Sequence, residues 1–160
     1  LAPIRIHADH IMDTSRFTIH ELRKHVVEMF EERETGHLLV SLVSFGFKFG
    51  VPIDSDLVFD VRFLANPHFV PSLKPFTGND PAVVDYMNSY ETTGEFLQHL
   101  DRLLDFLLPQ YEKEGKSYVT ISIGCTGGRH RSVFIANQVA RHLESLKYRT
   151  KVSHRDVEKV

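Results

Sequence analysis

The stretch SYVTISIGCTGGRHRS, residues 117–132, decides the fold. Its first half, Ser117 to Gly124, predicts the strongest strand in the chain. The paired glycines Gly127 and Gly128 follow at once, and a helix is predicted from Ser132 to about Leu146. A strand, a glycine loop and a helix in direct succession are typical of an α/β protein.

The rest of the chain repeats this alternation of strand and helix. The segment from His37 to Phe45 has apolar residues at both odd and even positions, and so on both faces, as expected for a buried strand of a parallel sheet. Two further strands are predicted, at residues 57–63 and 149–153. Three further helices are predicted, at residues 19–34, 81–89 and 94–112. The sequence therefore predicts a three-layer α/β fold, with a mainly parallel sheet and helices on both faces.

Local signals mark where several of these elements begin. Thr18 and Glu21 form a capping-box pattern, and Asp80-Pro81 combines an N-cap acid with a proline at the first helical position. The third helix has a predicted buried stripe at Phe96, Leu100, Leu103, Leu104, Leu107 and Leu108. Residues 64–80 hold three prolines and predict a long loop, and such loops in small domains are usually functional.

Length and composition limit the function classes. The 160 residues suit one domain, and a net charge of −2 does not favour non-specific binding to nucleic acid or acidic lipid. The single cysteine, Cys125, excludes an internal disulfide, and the apolar runs are too short for a membrane span. The chain begins at Leu1 without methionine or signal peptide. We therefore expect a fragment of a longer cytoplasmic protein, with residues 1–16 as linker and residues 17–160 as the domain.

The loop after the strand at residues 117–124 has the features of an anion site. Main-chain amides at a helix start, backed by the helix dipole, attract negative groups. Gly127 and Gly128 permit positive φ and close approach of an anion to the main chain. Arg129, His130 and Arg131 add positive charge, and guanidinium groups suit phosphate oxygens. The pattern predicts a phosphate site.

The same loop also permits an enzymatic interpretation. Cys125, Arg131 and Ser132 match the Cys-x5-Arg-Ser pattern of cysteine-dependent phosphatases, in which a thiolate attacks phosphorus. Gly124 stands where those enzymes usually have histidine, which weakens the match. Candidates for the required acid are Asp54, Asp56 and Asp60. A Walker pattern is absent from the 160 residues, so this chain should not hydrolyse ATP by itself.

Other polar residues accompany the remaining predicted strands. Lys48 lies in a glycine-flanked loop, and His68 follows Asn66-Pro67. Asp60 and Arg62 are two residues apart and share one face of their strand. Because charge on a buried strand is costly unless paired, they are either an internal ion pair or a ligand site.

Several of these segments together resemble the RapZ family of bacterial P-loop nucleotide-binding proteins, which includes an RNase adapter. The resemblance covers nearly the whole chain and implies a carboxy-terminal domain separated from its nucleotide-binding partner domain. The segments are SFGFKFGVPID (44–54), DLVFDVRFL (56–64), NPH (66–68), TG (77–78) and CTGGRHRS (125–132).

The resemblance implies a non-catalytic domain that binds glucosamine-6-phosphate and a small regulatory RNA, which it presents to an endoribonuclease. It further implies homo-oligomers, ATP or GTP bound by the missing domain, and no cofactor or metal in this fragment. It also favours a ligand role for Asp60 and Arg62. The implied sugar-phosphate site is Cys125, Thr126, Gly127, Gly128, His130, Arg131, Ser132, Lys48, Asp60, Arg62 and His68.

RNA binding, if carried by this chain, is expected near its end. Residues 147–160 hold five cations against two acids, a surplus of three. Such a surplus predicts weak and salt-sensitive binding to a phosphate backbone. The candidate residues are Lys147, Arg149, Lys151, Arg155 and Lys159.

Overall fold

The structure, a computed structural model, describes residues 12–15, 17–30 and 38–159. The chain divides into two units, Leu1–Thr35 and Gly36–Val160. The first contains helix α1, Ile19–Phe30. Its predicted capping box is confirmed, because the Thr18 amide donates to Glu21 Oε2 at 2.8 Å and the Glu21 amide donates to Thr18 Oγ1 at 3.3 Å. Most of the predicted linker, and the predicted end of this helix, lie outside the described residues.

The second unit is built on a four-stranded sheet in the order β2-β3-β1-β4, with every neighbouring pair parallel. The strands are β1 (Leu39–Gly46), β2 (Leu57–Asp60), β3 (Tyr118–Cys125) and β4 (Arg149–His154). The helices are α2 (Pro81–Asn88), α3 (Glu91–Glu114) and α4 (Arg131–Ser145). Helices pack around the sheet, which confirms the predicted α/β class; the sheet is wholly parallel.

The core lies between the central strands and the helices. Helix α4 packs against β1, β3 and β4, and α3 packs against α4. The α3 residues that the core buries are four apart, Leu100, Leu104 and Leu108, so they lie on one side of the helix. Leu103 was predicted to belong to this stripe but is 42% exposed, so that part of the prediction is wrong. The buried face of helix α3 is therefore narrower than the sequence predicts.

Strand β2 is shorter than predicted, ending at Asp60 rather than at residue 63. The amide of Val61 still bonds to the carbonyl of Gly124 at 2.9 Å, where β3 is close to its end. Beyond it, the carbonyls of Arg62 and Leu64 accept hydrogen bonds from the Arg131 side chain. Because Arg131 takes these carbonyls out of the sheet, the chain turns into the loop that the prolines predicted.

Candidate functional site

The carboxyl ends of β1 and β3 lie side by side and place two loops together. Gly46 pairs with Cys125 at the last step of the ladder. After β1 comes a short 3₁₀ turn, Phe47–Phe49, and its Lys48 amide donates to the Thr126 carbonyl at 3.3 Å. Parallel sheets bind ligands outside these strand ends. The segment that follows β3 is therefore positioned as the sequence predicted.

A cavity of about 780 Å³ opens at this edge. Two walls enclose it. The near wall comes from the loops after β1 and β3, and the far wall comes from residues 66–75. Five lining side chains are cations and none is a carboxylate, so the cavity is suited to an anion. The lining residues are Lys48, Asn66, His68, Phe69, Pro71, Lys74, Pro75, Cys125, Thr126, Gly127, Arg129, His130, Arg131 and Lys159.

The two glycines of the loop have different roles. Gly128 has a φ of 76°, and a Cβ there would lie 2.7 Å from the amide nitrogen of Gly46. Its own amide donates to Cys125 Sγ at 3.2 Å. Gly127 has no heavy atom within 4 Å of a Cβ position, so its main chain is open to approach. The amides of four loop residues have no hydrogen-bond partner within the described part of the chain: Thr126, Gly127, Arg129 and His130.

Arg131 begins α4 and connects the loop after β3 to the chain that follows β2. Its Nη1 donates to the carbonyls of Arg62 and Leu64, and its Nη2 donates to Thr126 Oγ1 at 3.2 Å. Its Nε is buried and has no partner among the described residues. Most hydrogen-bond donors of this guanidinium are therefore bonded to other residues of the chain. Arg131 thus fixes the shape of the site and also contributes positive charge to it.

Arg129 makes a second connection of the same kind. Its Nε donates to the Phe76 carbonyl at 3.0 Å, and its Nη2 donates to the Pro75 carbonyl at 2.6 Å. The Gly78 amide returns a hydrogen bond to the Arg129 carbonyl at 2.9 Å. The long loop between β2 and α2 is thus fixed against the loop after β3, which keeps the far wall in place.

Two histidines of the lining, His68 and His130, are in edge-to-face ring contact. The ring centroids of His68 and His130 are 6.4 Å apart. Burial lowers the pKa of His130 below its usual value, and the charges of Arg129 and His68 lower it further. His130 Nε2 is buried without a partner in the described residues, as is Arg131 Nε. Because buried polar atoms are normally hydrogen-bonded, these two atoms indicate where a ligand could bind.

Cys125 and Ser132 lie at the base of the loop. The Cys125 thiol is buried and lies 3.2 Å from the Ser132 hydroxyl, besides accepting from the Gly128 amide. Ser132 is fully buried and is not among the lining residues. Both side chains therefore help to hold the shape of the loop, and only Cys125 reaches the cavity.

Asp60 and Arg62 form an ion pair instead of lining the cavity. Arg62 Nη2 lies 2.6 Å from Asp60 Oδ2, and the two side chains are 51% and 43% exposed. The hydrogen bond from the Arg62 side chain lowers the pKa of Asp60. The guanidinium also lies 4.3 Å from the Phe47 ring centroid. Of the two alternatives, the structure has the ion pair, although it is exposed rather than internal. A ligand role for either residue stays a prediction.

The far wall contributes lining residues that sequence reasoning did not assign to the site. The most consequential are Phe69 and Lys74, which lie in the proline-rich loop. The only signal was the expectation that this loop is functional, since nothing in its spacing indicates which side chains meet the glycine loop. Lys159 also lines the cavity, although the sequence placed it with the candidate RNA contacts.

The candidate RNA residues separate into two groups. Arg155 and Lys159 both bind the fully buried Asp156, at 2.7 and 2.8 Å. Burial of Asp156 opposes its ionisation, but hydrogen bonds from Arg155, the Gly46 amide and Lys159 outweigh burial and lower its pKa to about 2. The other three are exposed: Lys147, Arg149 and Lys151. RNA binding by either group stays a prediction.

Within residues 12–15, 17–30 and 38–159, no group of three or more His, Cys, Asp or Glu side chains could hold a metal ion. No helix in that part of the chain is both long and apolar enough to cross a membrane.

The fold and site together define an α/β domain with a basic cavity at the carboxyl edge of a parallel sheet. A family model for the RapZ C-terminal domain matches residues 38–158. The chain therefore belongs to this family, as the resemblance indicated.

Relatives in three bacteria, each called a nucleotide-binding protein, match almost the whole chain. The relative in Koribacter versatilis is 54% identical over 98% of the chain, and that in Acidobacterium capsulatum is 52% identical over 98%. The relative in Solibacter usitatus is 52% identical over 99% of the chain. The chain spans only about half of each relative, 52%, 52% and 50% of their lengths in the same order.

Proposed function

We propose that this domain binds a phosphorylated amino sugar, such as glucosamine 6-phosphate, without transforming it. The observation that supports the proposal is the cavity at the end of β3, with five cationic side chains and no carboxylate in its lining. The ligand phosphate would accept hydrogen bonds from the unengaged amides of Thr126 and Gly127 and from Arg131 Nε. Membership of the RapZ family supports the choice of an amino-sugar phosphate.

The sugar would lie towards His68 and Asn66 on the far wall. An ammonium group needs an acceptor, and Asn66 lines the cavity; its side-chain oxygen accepts from the His68 amide at 3.2 Å and has a second lone pair for a ligand. Asp60 could serve only if its ion pair with Arg62 opened. His130 Nε2 is a further polar partner that has no bond within the described residues. A bound dianion would favour the protonated form of His130, opposing the effect of burial.

Lys48→Ala should weaken glucosamine 6-phosphate binding by roughly tenfold to a hundredfold, since a charge-assisted hydrogen bond from Lys48 to the phosphate would contribute roughly 1.5–3 kcal/mol. The Lys48 side chain is exposed and its ammonium lies 4.7 Å from the Phe49 ring centroid, so thermal stability should change little. Isothermal titration calorimetry measures the affinity. Lys151→Ala, an exposed lysine on β4, is the matched control. Equal affinities of the two variants would contradict the proposed site.

The phosphatase alternative has one observation in its favour, the Cys125 thiol hydrogen-bonded to the Gly128 amide and near Ser132. Two observations oppose it. The lining has no carboxylate to protonate a leaving group, and both Nη atoms of Arg131 are already bonded to the chain. We expect no turnover of p-nitrophenyl phosphate above that of Cys125→Ser. Cys125-dependent turnover would replace our proposal with an enzyme.

The wider roles concern the whole protein, of which this chain is a part. We propose that residues 17–160 act as the ligand-binding domain beside a separate ATP- or GTP-binding domain in homo-oligomers in the cytoplasm. Contact with a small RNA, on its way to an endoribonuclease, would be weak and salt-sensitive. It would use the exposed cations Lys147, Arg149 and Lys151, because Arg155 and Lys159 are held by Asp156.

A further inference from the structure

The cavity is larger and more basic than a sugar monophosphate requires. Its volume of about 780 Å³ lies in the upper part of the range of roughly 300–1,000 Å³ that encloses drug-sized ligands. A phosphate monoester carries a charge of about −1.5 to −2 at pH 7, whereas the lining supplies five cationic side chains. A phosphate held at the loop after β3 would leave part of this charge without a counterpart.

A sugar phosphate held at the loop after β3 and contacted by Lys48 would leave Lys74, on the opposite wall, without a counterpart. Arg129 and Arg131 each bond to carbonyls of the chain, and Lys159 pairs with Asp156. Lys48 and Lys74 have no ion-pair partner within the described part of the chain. Lys48 belongs to the wall beside the loop after β3, and Lys74 belongs to the opposite wall. The two free lysines are therefore on different walls, as a ligand with two anionic groups would need.

The far wall also presents an aromatic surface. Phe69 lines the cavity and is 81% exposed, so most of its ring is accessible to a ligand. Its ring contacts the His68 ring edge-on, with centroids 6.0 Å apart, which leaves Phe69 open to a stacking partner. Pro71 and Pro75 complete an apolar part of the same wall. An exposed aromatic ring beside a basic groove is suited to stacking a nucleobase.

From these three features we propose that the cavity binds a nucleoside diphosphate group, either free or within a sugar nucleotide. One phosphate occupies the loop after β3, so this inference rests on the proposed anion site there. The second phosphate lies between Lys48 and Lys74, and the base stacks on Phe69. The larger ligand uses more of the charge and of the volume than a sugar monophosphate, and it also uses the aromatic ring.

Calorimetric titration of the 160-residue chain tests the proposal, with inorganic phosphate, glucosamine 6-phosphate, inorganic pyrophosphate, UDP, ADP and UDP-glucose as probes. We expect UDP or ADP to bind at least tenfold more tightly than glucosamine 6-phosphate. Comparison of UDP with UDP-glucose distinguishes a free nucleotide from a sugar nucleotide. Binding of glucosamine 6-phosphate without tighter nucleotide binding would overturn this inference and leave the proposed function intact. Failure of every probe would overturn both.

Two variants test the contacts separately. Phe69→Ala should weaken UDP binding about tenfold and leave pyrophosphate binding unchanged, since stacking acts on the base alone. Phe76→Ala is the control, a partly exposed phenylalanine on the same loop outside the lining. Lys74→Gln should weaken pyrophosphate and UDP but not inorganic phosphate, with Lys151→Gln as its control. Equal losses of UDP affinity in Phe69→Ala and Phe76→Ala would contradict the proposed stacking of the base on Phe69.

Discussion

Gly128→Ala should lower the free energy of unfolding by about 3 kcal/mol and abolish anion binding. The alanine would have to adopt a φ near 76°, which costs a non-glycine residue roughly 1–2 kcal/mol. Its Cβ would also lie 2.7 Å from the Gly46 nitrogen and 2.9 Å from the Asp156 Cβ, and overpacking costs roughly 1–3 kcal/mol. Urea denaturation measures the first effect and calorimetry the second.

The neighbouring glycine provides the matched control. Gly127→Ala introduces a Cβ with no heavy atom within 4 Å, and Gly127 has no positive φ. Its stability should stay within about 0.5 kcal/mol of the parent, as for most surface substitutions. Ligand affinity should fall, because the new methyl group covers main chain that an anion would approach. A similar loss of stability in both variants would contradict the explanation by the positive φ and the close contacts of Gly128.

Asp156→Ala should be the second variant with a large effect, with a loss of about 3 kcal/mol in the free energy of unfolding at pH 7. Removing one member of a buried charge cluster typically costs roughly 3–5 kcal/mol, and here Arg155 and Lys159 can recover some hydration. The Gly46 amide, which donates to Asp156 at 2.8 Å, would also lose its partner. The loss should be measured by urea denaturation.

The pH dependence of this difference is a further readout. The folded-state pKa of Asp156 is about 2, below the model-peptide value of 3.8. Its stabilisation is therefore complete above the unfolded-state pKa and is lost as the pH falls through the folded-state value. The gap between parent and variant should narrow from about pH 4 towards pH 2. Glu158→Ala, an exposed acid two residues away, should leave both stability and its pH profile unchanged. A gap that stays constant would contradict the charge-based account.

The sequence was sufficient for the elements whose signals are local. The capping box of Thr18 and Glu21, the glycine loop and the strand–helix alternation all depend on neighbouring residues. The parallel sheet then brings Lys48, Thr126 and His130 to one cavity, as expected for loops at the carboxyl ends of its strands.

What could not be predicted depends on contacts between distant parts of the chain. The end of β2 is set partly by Arg131, which lies about seventy positions further along. The placement of Phe69 and Lys74 follows from the bonds of Arg129 to the proline-rich loop, which no periodicity encodes. Lys159 lies at the cavity because it is paired with Asp156. The sequence around Asp156 is short and polar, so it does not predict that Asp156 is buried.

The arginine bonds to the loop after β2 affect how ligand preference can be altered. The guanidinium of Arg131 adds positive charge to the cavity and also holds the carbonyls of Arg62 and Leu64, while Arg129 holds the far wall at the Pro75 carbonyl. Substituting either would change the width of the opening together with its charge. A new ligand specificity is therefore better sought by keeping both arginines and varying positions 68, 69 and 74. The side chains at these three positions line the cavity and are exposed.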